Sequence, residues 1–428
     1  MKPATLHLNE LQEAVEKLPG DALAVSRRAA LEHLRKHGLP TTRDEDWKYT
    51  DLAPVIDISN RYLQHDSFTA SSEGLDEVVG QVCDSIDADW LVVRNGVVDP
   101  ASTEPFDRAG VSITRLSESG GEMEFSAPLS NLNAALLRDG LRVRVADGAK
   151  PGRPIGILLV DSAAETPGMS QTRVEIQVGT NSTASFVEYH ASIGAADHYA
   201  NHIAELTLGD NSHVDFVRIQ ERGSNHNQTS RLAVAAGRDG EFNHCAFDIG
   251  GRLVRNDLHI DILQPGSSVE FNGLYLAGDK QHIDNHTRAD HRVGPAKSVQ
   301  EYRGIVTGKA RCVWNGKAIV HQGADGTDAA QANHNLLLSE RAEVDAKPEL
   351  EIYADDVKCS HGTTIGELDE TALYYLRTRG LSKHDAKQLL TRAFAQAIVG
   401  KAPIAAMREM LEEKIAQRLG PLLEGIDA

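Results

Sequence analysis

The chain has 428 residues, and its 44 Lys and Arg against 62 Asp and Glu leave a net charge of −18. That balance excludes recognition of nucleic acid through its phosphates, which needs a cationic face, and disfavours anionic membrane surfaces. Hydrophobic content of 41% is ordinary for a globular protein with a sizeable core, and only 5% aromatic residues make that core aliphatic.

The length suggests two or three domains. Cys83, Cys245, Cys312 and Cys359 stand far apart with no C-x-x-C pair, which excludes a zinc ribbon or a thioredoxin-like motif. The amino-terminal stretch MKPATLHLNELQEAVEKL lacks an apolar signal core, and no run reaches transmembrane length. A cytoplasmic protein without disulfides is the expectation.

Along the chain, Leu8, Leu11, Val15, Leu18, Ala22, Val25, Ala29 and Leu34 recur near helical spacing, predicting helix from Leu8 to His37 with Gly38 and Pro40 as its stop. The segment LPTTRDEDWKYTDL, Leu39 to Leu52, reads as a surface loop anchored by Trp47 and Tyr49. Residues 80–150 mix short strands, Trp90 to Val98 among them, with a helix near Asn131 to Arg138.

From about Pro154 to Ala354 the period changes to two. Short alternating strands such as Val174 to Val178, Leu258 to Ile262 and Leu350 to Tyr353 each pair with a following strand across a polar turn. The turns at Gly179, Gly209, Gly237 and Gln264 recur at about 30 residues, with a longer gap before Thr307, as in a repeat architecture. Each repeat has too little apolar surface to close a core alone. Periodicity leaves a parallel β-helix and a sandwich of hairpins both open. The tail returns to helix: Asp369 caps ETALYYLRTR, Gly380 ends it, and Ser382 starts a second helix striped by Leu389, Leu390 and Phe394. A third carries Ile404, Met407, Leu411 and Ile415 on one side.

Three constellations bear on chemistry. His282, His286, Asp290 and His291 could ligate a metal, although the flanking Gly278, Gly294 and Pro295 argue against a helix and for polar residues of an irregular turn. GIVTGKA, Gly304 to Ala310, has three residues between its glycines and Ala after the Lys, so it is not a phosphate loop. Cys359 and His361, in Cys-Ser-His at the junction of strand and helical tail, share one side of an extended chain and offer a thiol and an imidazole suited to iron or zinc.

The segment Lys347 to Gly380, with Trp47-Lys48-Tyr49, Tyr302-Arg303-Gly304 and Trp314-Asn315-Gly316, resembles the SufB/SufD family of iron–sulfur cluster assembly proteins. No cysteine stands near Gln331 to Asn335, and Gly362 occupies a position that is Glu in SufB-type chains, so the resemblance is to the SufD side. It implies a mainly β protein: residues 1–60 helical, 61–153 mixed, 154–366 a parallel β-helix (solenoid) core, and 367–428 a helical domain. It also implies a non-catalytic scaffold that pairs with SufB and docks the SufC ATPase, with no ATP site of its own, and that self-pairs when isolated as one alternative. A transient iron–sulfur cluster would be shared with SufB, with His361 a ligand and Cys359 in support, and no residues identify a flavin site. Leu389, Leu390, Phe394, Met407 and Leu411 would serve partner binding. The rival expectations are a metal-dependent enzyme using His282, His286 and His291, and a β-helix carbohydrate-active enzyme.

Overall fold

The computed structural model describes residues 4–65, 74–103, 106, 110–121, 123–125 and 127–424. Its centre is a parallel β-solenoid of about eight turns, flanked by N-terminal and C-terminal helices. Among the described residues, ten strands form one sheet and nine the other, and from Leu141–Val145 onward each order skips every second strand. Over that stretch consecutive strands therefore lie in opposite sheets, and hydrogen bonding joins each strand to the one a full turn away. The expectation that each strand pairs with its immediate successor is corrected: the turns swing the chain across to the other sheet.

From Leu141 onward, partners one turn apart lie 26 positions apart at their nearest (Gln228 beside Val254) and 33 at their farthest (Leu141 beside Val174). This is the repeat seen in the sequence. Turn chemistry fixes it: Asn181, Asn211 and Asp239 hold φ of 58°, 54° and 52° at equivalent corners. Short polar side chains tolerate this left-handed region best after glycine.

Because the strands alternate, one set of side chains points into the coil and the other outward. Val174, Ile176, Phe186, Phe216, Ile260 and Phe271 belong to the apolar half of the interior. Two aromatic-glycine pairs thicken it. A Cβ on Gly304 would lie 2.2 Å from Tyr275, and one on Gly316 2.2 Å from Trp314. Only glycine leaves room for those rings, which explains two of the short motifs noted above.

The other half of the interior is polar. Arg218 donates to Asp248 at 3.1 Å and to Ser230 at 3.3 Å, and Ser230 donates to Asn256 at 2.7 Å. Asn256 in turn donates to Asp248 at 3.1 Å and to Asn285 at 2.9 Å. Farther along, Asn333 donates to the Tyr275 hydroxyl at 3.3 Å.

Both outer faces are covered. The face bearing Val187, Tyr189, Phe247 and Leu274 lies under Ile398, Met407, Leu411, Ile415 and Leu419 of the C-terminal helices. The opposite face meets N-terminal helices through Met169, Tyr199 and Leu253. The expected helix from Leu8 to His37 is two helices, Leu8–Glu16 and Ala24–His37. Pro19-Gly20 falls in the break, where proline cannot donate and glycine costs helix entropy.

Trp47 is more than a loop anchor. It is 2% exposed, with the Arg255 guanidinium 4.2 Å above its ring. Arg255 also donates to the Asp46 carbonyl at 2.7 Å and to Asp284 at 2.6 Å, while Thr50 sits 2.7 Å from His282. Burial alone would raise the Asp284 carboxyl, but Arg255 and His286 more than offset it and hold it well below the usual range.

Replacing Trp47 with Ala should therefore cost roughly 3–5 kcal/mol, as for buried aromatics generally, and expose residues 38–46 to protease. Urea titration with limited proteolysis checks this, and an unchanged midpoint would contradict it.

The buried histidines predict an acid limb. Burial pushes His198 and His244 down to about 3, and His226 and His291 down to about 4. An unfolded histidine takes up its proton near ~6.5. Between these limits the unfolded chain binds more protons, so stability is intact above ~6.5 and falls steadily below it. We expect a loss of at least about 2 kcal/mol between about pH 7 and pH 5, read from urea midpoints at the two values. A flat profile would show that these imidazoles are not held neutral.

Candidate functional site

The two ends of the solenoid differ. At the N-terminal end, strand Val97–Val98 pairs antiparallel with Asp89–Arg94, and Val111–Arg115 antiparallel with Leu141–Val145. Reversed strands of this kind stop the parallel ladder from continuing. At the C-terminal end, Glu343–Ile352 closes one sheet and Lys358–Gly366 the other, each hydrogen-bonded on one side only among the described residues. All but Cys359 of the last strand are exposed.

Cys359 and His361 sit on this last strand. Cys359 lies in register with Ala329, His361 with Gln331, and Thr363 with Asn333. Ala329, Gln331 and Asn333 are buried inside the coil, so the thiol and the imidazole continue the inward-facing column at its open mouth. The sequence inference that both share one side holds in this register. Thr363 donates to Asn333 at 3.3 Å, and the Asn335 amide donates to the Thr364 carbonyl at 3.3 Å, linking the rim to the polar interior.

Partial burial raises the Cys359 thiol above its usual range, assisted by Asp328 and opposed by a hydrogen bond involving the Ala329 backbone. A thiol in this state ionises readily only when a metal ion or a cationic neighbour stabilises the thiolate. His361 is exposed on the same rim.

The HIDNHTRADH segment is a regular strand, His282–His291, not an irregular turn. Its period of two sends His282 and His286 outward and His291 inward. His282 meets Thr50, His286 lies 3.1 Å from Asp284, and His291 lies 2.8 Å from Ser298 inside the coil. These three imidazoles cannot converge on one metal ion, so the enzyme reading built on them loses its site. The carboxylate of Asp290 is taken by His259 at 2.9 Å and His321 at 2.8 Å, together with Arg288. The Gly304–Ala310 stretch is the end of one strand and a turn in which Lys309 N donates to the Asp279 carbonyl at 2.7 Å.

The C-terminal helices are Glu370–Thr378, Lys383–Val399 and Arg408–Glu424. Asp369 and Ser382 cap the first two through side-chain bonds, as their sequence positions predict. Leu389 is 48% exposed, Leu390 is half-buried, and Phe394 is half-buried with the Arg303 guanidinium 5.0 Å over its ring. Met407 and Leu411 are buried against the solenoid, so they are corrected from free docking anchors to packing residues. Tyr374 and Tyr375, 70% and 57% exposed, were not singled out from the sequence. Their signal was there: adjacent aromatics on a capped helix with only one apolar stripe to bury.

Among the described residues no helix is long and apolar enough to cross a membrane. A family model described as the SufBD core domain of SUF system FeS cluster assembly matches residues 160–394, and one for the SufBD protein N-terminal region matches residues 5–118. The iron–sulfur cluster assembly protein SufD of Escherichia coli is 28% identical, over 91% of this chain and 91% of its own length. An iron–sulfur cluster assembly SufBD family protein of Synechocystis is 29% identical, over 93% and 92%. SufD of Bacillus subtilis is 26% identical, over 68% and 67%.

Proposed function

The chain belongs to the SufBD family and so to iron–sulfur cluster assembly, and from that premise we propose that it is a SufD-type scaffold subunit. In this reading it is not itself a catalyst. It pairs with SufB through the open end of its solenoid and docks the SufC ATPase through its C-terminal helices. ATP enters with SufC, and iron or a nascent cluster is cargo shared with SufB.

The observation that carries the reading is the uncapped C-terminal end. A bare edge strand is a template for strand addition and an aggregation hazard unless something covers it. Here two edges end side by side, flanked by Ile352, Tyr353 and Ile365 at 43%, 61% and 48% exposure. A partner strand laid on them would face the rim that holds Cys359 and His361. Imidazole suits iron, and the thiol can ligate once metal displaces its proton.

Docking of SufC is supported by the exposed Tyr374, Tyr375 and Leu389 and by the half-buried Leu390 and Phe394. Apolar side chains at helical spacing suit a groove on a partner. Deleting everything after Gly366 would also strip the cover from one outer face of the solenoid, so single side-chain changes are the cleaner test.

We expect His361→Ala to reduce cluster assembly by the reconstituted complex at least about tenfold, with urea stability and complex formation unchanged. Cys359→Ala should be milder. Full assembly activity in the His361 variant would remove it from the ligand set.

Two binding measurements separate the partners. Tyr353→Glu with Ile365→Glu should weaken SufB pairing more than about 30-fold while sparing SufC. Tyr374→Ala with Leu389→Ala should do the reverse. Unchanged affinities in isothermal titration would reject the respective surface.

A further inference from the structure

The scaffold reading makes no use of a cluster deep in the polar half of the coil. Glu188 and His190 point inward from strand Thr183–Ile193, and His202 points inward from His198–Leu208 in the facing sheet. They are 3%, 0% and 2% exposed. His190 Nε2 lies 2.7 Å from one oxygen of Glu188, and His202 Nε2 lies 2.9 Å from the other. One donor atom from each of the three residues falls within 4.8 Å of the others.

The outer nitrogens are also held. His202 Nδ1 is 2.8 Å from Thr172 Oγ1, and His190 Nδ1 is 2.8 Å from Gln228 Oε1. That oxygen is fixed in place by Arg222, whose Nε donates to it at 2.6 Å and has no acceptor capacity.

His190 therefore stands between two acceptors, the Glu188 carboxylate and the Gln228 oxygen. A neutral imidazole carries a single N–H and satisfies only one of them. Without a bound cation, an added proton must sit in this fully buried cluster, on His190 or on Glu188, or two lone pairs stay opposed. A metal ion between Nε2 and Glu188 removes the conflict, since Nδ1–H then donates to Gln228. An outward N–H held by a carbonyl oxygen or hydroxyl is the usual support of a metal-bound histidine, and His202 with Thr172 repeats it.

We propose that Glu188, His190 and His202 form a buried binding site for one divalent first-row transition ion, Zn(II) or Fe(II). Two imidazoles and a carboxylate suit those ions and leave a coordination position open. The site lies several turns from the rim of Cys359 and His361, so it is separate from the proposed cargo site and stands or falls independently of the scaffold reading.

The test uses the full chain, stripped with chelator and reloaded with Zn(II), or anaerobically with Fe(II). Crystals of the loaded protein, measured across the absorption edge of the metal used, should show anomalous density between these three side chains. In competition titrations His202→Gln should bind Zn(II) more than about 100-fold more weakly, beyond the 10–100-fold of a supporting residue. Thr172→Val should fall within that supporting range. Anomalous density only at His259 and Asp290, or only at Cys359 and His361, overturns the proposal, as does no density at all. Equal affinity of the wild type and the His202 variant overturns it too. If the variant does not fold, the wild-type anomalous map decides alone.

Discussion

The structure depends on one constraint: in a parallel coil, each turn satisfies its backbone only through the turns on either side. Inside the coil every strand has two neighbours. The ends must be closed by something else, and the two ends of this chain are treated differently. Reversed strands block the first, while the second presents two unpaired edges of ten and nine residues. Coverage of the long outer faces by helices at both termini follows the same logic, since a solenoid has no other way to bury its outward apolar side chains.

The interior adds a second layer of specificity. Its apolar half is close-packed around ring-on-glycine contacts at Gly304 and Gly316. Its polar half holds ion pairs and histidines at nearly zero exposure, where each partner lost leaves an uncompensated group in a low-dielectric interior. Bonds of this kind join named residues on successive turns, which identical apolar rungs would not do by themselves. The column of polar positions reaches the rim through Asn333 and Thr363.

Local signals in the sequence were reliable where the cause is local. Asp369 and Ser382 cap their helices, and the roughly 30-residue recurrence of turns is the pitch of the coil. Pairing was not legible, because alternation of period two is the same in a hairpin and in a coil; only the register 26–33 positions apart distinguishes them. Trp47 looked like a loop anchor because its partner Arg255 is 208 positions away in sequence. Met407 and Leu411 looked available because helical periodicity reports a face and not what covers it. His282, His286 and His291 read as polar residues of an irregular turn with a metal site as the alternative, whereas they lie on a regular strand that sends them to opposite sides. Glu188 and His190 stand two residues apart on one strand, but His202 joins them only from the facing sheet, so the three give no compact motif.

In the proposed arrangement the open C-terminal end is the partner-binding edge, with the rim of Cys359 and His361 facing into that interface. Amide hydrogen exchange followed by mass spectrometry, on the chain alone and with SufB bound, addresses it most directly. Fast exchange is expected along the free edges of residues 343–366 in the isolated chain and strong protection there on binding, with the capped end unchanged. Protection at residues 89–115 with none at 343–366 would contradict it.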